Sequence, residues 1–216
     1  METYLYPTDK YSFSDFIIKN LNVSSLNLIH KEKDFTYNNK FVRENDQSTH
    51  YHKMFYEIAR SADFLSMYNS FIREIVKPTF GEDVVYQKIP TFRLHFPGNI
   101  AVGEYHRDRN YRDPEWAKRV CESNFFLPLT DAYGSNTIWL ESEEGKEDFS
   151  PMNAKYGEIV KWDGSNLLHG NKLNEEIHTR VSFDFRVMPL SRYEPSAHGS
   201  INTGTRFSLG GYYDKT

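Results

Sequence analysis

Residues 179–187, Thr-Arg-Val-Ser-Phe-Asp-Phe-Arg-Val, alternate without a break. Side chains two apart on an extended chain point the same way. Val181, Phe183, Phe185 and Val187 therefore share one face, and Arg180, Ser182, Asp184 and Arg186 the other. A strand of this kind needs an apolar core against one side. Its other side, with two guanidiniums, a carboxylate and a hydroxyl, has to be wet or to hold a ligand. A closed or two-sheet β structure satisfies both, because a polar face can line the interior near the mouth of a small barrel.

The remainder of the chain supports that architecture. Sixteen Phe and fifteen Tyr among 216 residues lean toward strands rather than helices. Short strands are expected at 84–89, 91–96, 100–106, 124–129, 136–141 and 158–162, with Asp163-Gly164 turning the last of these into a hairpin with 166–169. Before them, Phe55, Ile58, Ala62, Leu65, Tyr68, Ile72 and Ile75 follow helical spacing. They predict one helix over 51–77, capped by Ser48 or Thr49 and stopped by Pro78. A modest amphipathic piece lies around 14–21. The segment 107–122 reads as a long polar loop with a helical turn from Pro114, and the acidic 142–150 as a solvated loop. The expected fold class is mainly β with supporting helices, in one domain over 1–216. Within it, 1–80 forms helical and irregular support, 83–188 a β core, and 189–216 a Gly-, Ser- and Tyr-rich tail.

A net charge of -4 offers no basic footprint for nucleic acid. The single cysteine, Cys121, excludes an internal disulfide framework and suits a reducing compartment. No apolar run reaches membrane length, and the first thirty residues lack a signal-peptide core. A soluble cytoplasmic protein without nucleic-acid or membrane partners is expected; oligomeric state is left open.

The chemistry concentrates between Pro90 and Asp108. Phe92, Leu94 and Phe96 alternate with Thr91, Arg93 and His95, the chain turns at Pro97-Gly98-Asn99, and a second extended run ends in His106-Arg107-Asp108. On an extended chain His106 and Asp108 lie side by side. His169 is the best third ligand, since it sits on an expected strand and is followed by Gly170, which lets a ligand or backbone come near. Two imidazoles and one carboxylate leave metal positions open, the arrangement of non-haem Fe(II) oxygenases, although the same donors suit other divalent metals. His30-Lys31-Glu32 is a second candidate pair, read as solvated surface. Arg180 and Ser182, on the polar face of the last strand, are suited to gripping a carboxylate.

The order His106, Asp108, His169, Arg180 resembles the iron(II)/2-oxoglutarate-dependent oxygenase superfamily. FRLHFPGNIAVGEYHRD, NFFLPLTDAYGSNTIWLES, YGEIVKWDGSNLLHGN, TRVSFDFRVMP and GGYY are similar to a branch represented by a streptomycin-biosynthesis protein. The resemblance implies a double-stranded β-helix (jelly-roll, cupin-like) core. It implies that His106, Asp108 and His169 hold Fe(II), and that Arg180, assisted by Ser182, binds the cosubstrate 2-oxoglutarate. Asn124, Thr137 and Trp139 are expected to line the cosubstrate pocket, with Gln87 and Arg93 as weaker candidates. Dioxygen and a small polar metabolite complete the implied reaction, a hydroxylation coupled to succinate formation. Two alternatives are a cupin-like isomerase or lyase that does not use 2-oxoglutarate, and a non-catalytic β-barrel binding module. Arg180 and Ser182 count against the first, and a complete ligand triad against the second.

Overall fold

The computed structural model describes residues 1–32, 47–101, 104–196, 198–199 and 204–216. Along the chain, β1 (Glu2–Leu5) and α1 (Phe13–Leu21) precede a helical pair, α2 (His50–Ile58) and α3 (Ala62–Phe71). Then come β2 (Val84–Gln87), β3 (Thr91–His95), α4 (Pro114–Val120), β4 (Ser123–Pro128) and β5 (Ile138–Leu140). The chain closes with β6 (Ser150–Pro151), β7 (Glu158–Trp162), β8 (His169–Asn171), β9 (Arg180–Pro189) and β10 (Tyr213–Lys215).

β9 is the spine of a seven-stranded antiparallel sheet. Its first half pairs with β3 and its last residues with β2, while β4 runs along its opposite edge. β7 and then β1 continue beyond β4, and β10 beyond β2. A second antiparallel sheet has the order β6-β5-β8. Phe126, Val160 and Trp162 of the large sheet pack with Ile138 and Leu140 of the small one, so the two sheets face each other.

The two faces of β9 part as its alternation demands. Val181, Phe183, Phe185 and Val187 are buried against the helices. Phe13 of α1 and Phe64 of α3 meet Phe183 edge-on, and Tyr68 meets Phe185 in the same way. Such pairs add ~0.5–1.5 kcal/mol each beyond their buried area. α1 presents Phe13, Ile17 and Leu21 to this core at intervals of four. Much of the chain's aromatic content is thus spent on one helix-sheet interface.

Three local expectations are corrected. The helix over 51–77 is two helices. Ser61 accepts a hydrogen bond from the Phe64 amide and caps α3, interrupting a pattern whose apolar spacing runs straight through. Thr49 caps α2 in the same way, and past α3 the chain widens into a π-helical turn, Ile72–Val76, and then tightens into a 3-10 turn, Lys77–Thr79, around Pro78. The expected strand 100–106 reduces to one bridge, His106 against His169, with residues 102 and 103 outside the described range. Asp163-Gly164 does not close a hairpin: β7 pairs with β1 and β4, whereas β8 pairs with β5, so the turn passes the chain from one sheet to the other. Among the described residues no helix is long and apolar enough to cross a membrane.

Candidate metal centre

The turn after β7 and the segment before α4 meet where the two sheets open. His106 and His169 exchange backbone hydrogen bonds of 2.9 and 3.0 Å, and the Asp108 amide donates to the Gly164 carbonyl at 2.9 Å. Arg107 is extended (φ −110, ψ 133), which leaves its two neighbours on one side. His106 Nε2 lies 3.5 Å and His169 Nε2 4.0 Å from Asp108 Oδ1. Donor atoms of the three residues fall within 4.8 Å of one another.

Both imidazoles are oriented for this convergence. His106 Nδ1 faces the Glu104 carbonyl and His169 Nδ1 the Leu167 carbonyl, each at 2.9 Å. A carbonyl only accepts, so both Nδ1 atoms carry a proton and both Nε2 atoms, the ones available to a metal, point inward. Burial pushes His169 down to about 4, against the pull of Asp108, and keeps it neutral at physiological pH.

Asp108 is equally constrained. Its Oδ2 accepts from Asn124 Nδ2 at 2.8 Å and from Arg186 Nε and Nη2 at 3.1 and 2.7 Å. Oδ1 is left toward the two histidines. Burial alone would favour the neutral acid, but the Arg186 guanidinium outweighs it and holds the carboxyl well below the usual range. Arg186 also donates to Tyr212 Oη at 3.3 Å, and the neighbouring Glu122 accepts from Tyr213 Oη. The aromatic end of the tail therefore backs the site. Gly164 is required here: a Cβ would stand 2.6 Å from Asn124 Cγ. At Gly170 the close neighbour is Tyr105, 2.9 Å from where a Cβ would be, and not a ligand.

An open pocket is lined by the triad together with Arg180, Arg186, Arg93 and Asp184. Arg180 is 1 % exposed. Its Nε donates to the Asn136 carbonyl at 3.1 Å and Nη1 to Ser182 Oγ at 2.8 Å. Among the described residues it forms no ion pair, whereas Arg93 pairs with Asp184 and Arg186 with Asp108. Burial lowers it to about 10, so it remains a cation at neutral pH.

The other expected pocket residues separate. Ser182 and Asn124 are at the site, but Asn124 serves Asp108 directly. Thr137 and Trp139 are not pocket residues. Ile138 faces the pocket, and residues one apart on a strand face opposite ways. Thr137 donates to the Met152 carbonyl at 2.5 Å, and the Trp139 indole to that of Gly134 at 2.9 Å. Gln87 bonds to Ile89 and Thr91 instead. His30 is half-buried and bonds to Thr179, while Lys31 beside it is exposed. The acidic loop and the basic 107–119 segment pair with each other, Arg107 with Glu141 and Arg109 with Glu144. Trp162, edge-on to His169 at 4.6 Å, and Arg186 were assigned no role from sequence. For Arg186 the signal was its place on the polar face of β9.

No family model matches this chain. It is 43% identical over 177 residues to the streptomycin biosynthesis protein StrG of Streptomyces griseus, across 80% of this chain and 79% of that protein. The chain belongs to the StrG family. In fold, this StrG relative is similar to the non-heme alpha ketoglutarate dependent carbocyclase SnoK from nogalamycin biosynthesis, with TM-score 0.55 and 10% identity over 98% of this chain and 88% of SnoK. The non-heme alpha ketoglutarate dependent epimerase SnoN from nogalamycin biosynthesis aligns at TM-score 0.49 and 10% identity, over 94% and 85% of the two chains.

Proposed function

We propose that this chain is an Fe(II)- and 2-oxoglutarate-dependent oxygenase, built on a double-stranded β-helix formed by its two facing sheets. It hydroxylates, or otherwise oxidises, a small polar metabolite in a biosynthetic pathway. The observation that carries this reading is Arg180. Its guanidinium is buried, is bonded to one hydroxyl and one carbonyl, and shares a pocket with His106, Asp108 and His169. A buried cation without a carboxylate is costly. A small keto acid, reaching the metal with one end and Arg180 with the other, relieves that cost.

The donor set fits iron. Two imidazole nitrogens and one carboxylate oxygen converge, with a pocket on their open side, and this set suits Fe(II) that must also admit cosubstrates. His106, Asp108 and His169 would hold the ion, and Arg180, steadied by Ser182, the distal carboxylate of 2-oxoglutarate. Bound iron supplies dioxygen activation coupled to decarboxylation of 2-oxoglutarate to succinate. The chain's own groups orient and exclude. Asn124 and Arg186 turn one oxygen of Asp108 toward the metal, and Ile138 and Trp162 form apolar walls that keep water from the reacting groups. StrG is named for a biosynthetic role and SnoK is described as alpha ketoglutarate dependent, which supports the same reading.

The test is anaerobic addition of Fe(II) and 2-oxoglutarate, with a weak visible charge-transfer band expected, followed by succinate measurement in air. A protein that binds Fe(II) at these residues but neither binds nor consumes 2-oxoglutarate would move the assignment to the cupin-like reading.

A further inference from the structure

The three metal-binding candidates lie on two chain segments, 106–108 and 164–169. These are joined by an isolated bridge and by the bond from the Asp108 amide to the Gly164 carbonyl, and not by a continuous ladder. A metal centre tolerates displacements of only about half an ångström, so some further tie has to hold the segments in register. The acidic residue at the end of β5 is placed to supply it.

Glu141 is 0 % exposed. Its Oε2 accepts from the amides of Gly145 and Glu147 at 2.9 and 3.2 Å, which fixes the carboxylate against its own loop. Its Oε1 accepts from the Leu168 amide at 2.6 Å and from Arg107 Nη2 at 2.7 Å. Leu168 immediately precedes His169, and Arg107 stands between His106 and Asp108. Because Arg107 is extended, its side chain leaves on the side opposite its neighbours and runs to Glu141. Its Nε adds a bond to the Asn166 carbonyl at 2.8 Å. One carboxylate oxygen thus touches both segments, one residue away from every ligand.

We infer that Glu141, acting through Arg107 and the Leu168 amide, is a positioning residue that sets the register of the metal centre. The inference rests on the reading of His106, Asp108 and His169 as metal ligands. It requires a carboxylate specifically. All four of Glu141's partners are donors, and a glutamine at this position turns its NH₂ against two of them. Ionic pairing at the surface contributes little, but this pair is largely closed off from water.

The probe is Co(II), titrated anaerobically into metal-free protein without 2-oxoglutarate and followed by its visible d–d absorption. The wild-type protein should bind one equivalent, and His169→Ala should lose it. Glu141→Gln should bind 10- to 100-fold more weakly, the range for partners of metal ligands, with a changed d–d spectrum at saturation. Arg107→Met should shift affinity and spectrum in the same direction, and Arg107→Lys should recover part of the loss. Arg107 is partly exposed, so if Glu141→Gln fails to fold, Arg107→Met decides the matter alone. A folded Arg107→Met protein with affinity within twofold of wild type and an unchanged spectrum overturns the inference. Absence of a His169-dependent site in the wild-type protein overturns the metal reading instead.

Discussion

Replacing Arg180 by Met separates two effects that usually travel together. The side chain is buried without an ion-pair partner, and burial lowers it from the ordinary guanidinium value to about 10. At 1.36 kcal/mol per pKa unit, that depression corresponds to roughly 3 kcal/mol against the charged form. The sign is that of a cation less welcome folded than unfolded, so the penalty is fully present at pH 7 and fades only above pH 10. Arg180→Met removes it, and forfeits charge-assisted hydrogen bonds to Ser182 and Asn136 worth ~1.5–3 kcal/mol each. The two effects largely offset, so the ligand-free variant should lie within ~3 kcal/mol of wild type. Its 2-oxoglutarate binding should fall: a charge-assisted bond contributes ~1.5–3 kcal/mol, or about tenfold to a hundredfold in affinity. At a 2-oxoglutarate concentration a hundred times the wild-type Kd, ligand stabilisation is about 2.7 kcal/mol, dropping to about 0.4 kcal/mol for a hundredfold weaker variant. In a domain of this size each kcal/mol moves Tm by roughly 2–4 °C, so thermal melts with metal, with and without 2-oxoglutarate, resolve the two. Equal 2-oxoglutarate-induced shifts in the two proteins would refute the clamp and make Arg93 the next candidate. A variant with intact binding but a collapsed ligand-free Tm would refute the charge argument.

Removing either imidazole, His106→Ala or His169→Ala, should abolish the Fe(II)/2-oxoglutarate band and turnover, and retention of both would displace the ligand assignment. Arg186→Met leaves Asp108 buried with its principal counter-charge gone, a change that costs ~3–5 kcal/mol for a buried pair broken on one side; denaturant unfolding of the metal-free protein that shows under 1 kcal/mol would contradict it. Metal-free stability should also fall on acidification. His169 and His95 are each pushed by burial from 6.5 to about 4, so the unfolded chain takes up their protons first, between about pH 6.5 and 4. Each should remove roughly 2 kcal/mol between pH 7 and 5, and His169→Gln should flatten the unfolding free energy against pH.

What the amino-acid order determined by itself is whatever depends on side-chain periodicity. The two faces of 179–187 follow from a repeat of two and hold in the folded chain: the apolar face lies under the helices, and Arg180, Asp184 and Arg186 line the pocket. His106 and Asp108 share a side for the same reason, since one extended residue between them suffices. Strand pairing was not legible. The same turn residues at Asp163-Gly164 serve a hairpin or a change of sheet, and only the competition of β1 and β4 for β7 decides between them. Nor was the parity of β5, where Ile138 and not its neighbours turns inward, because three consecutive apolar residues carry no alternation to read. The partners of Asp108 and the place of Glu141 belong to the same class. Asn124 reads in sequence as a pocket residue, Arg186 as one of a polar strand face and Glu141 as part of an acidic loop, and they become parts of one centre because β4, β9 and β5 arrive there from distant parts of the chain. A contact between residues far apart in sequence leaves no trace in the local pattern of either, so tertiary packing alone could choose them.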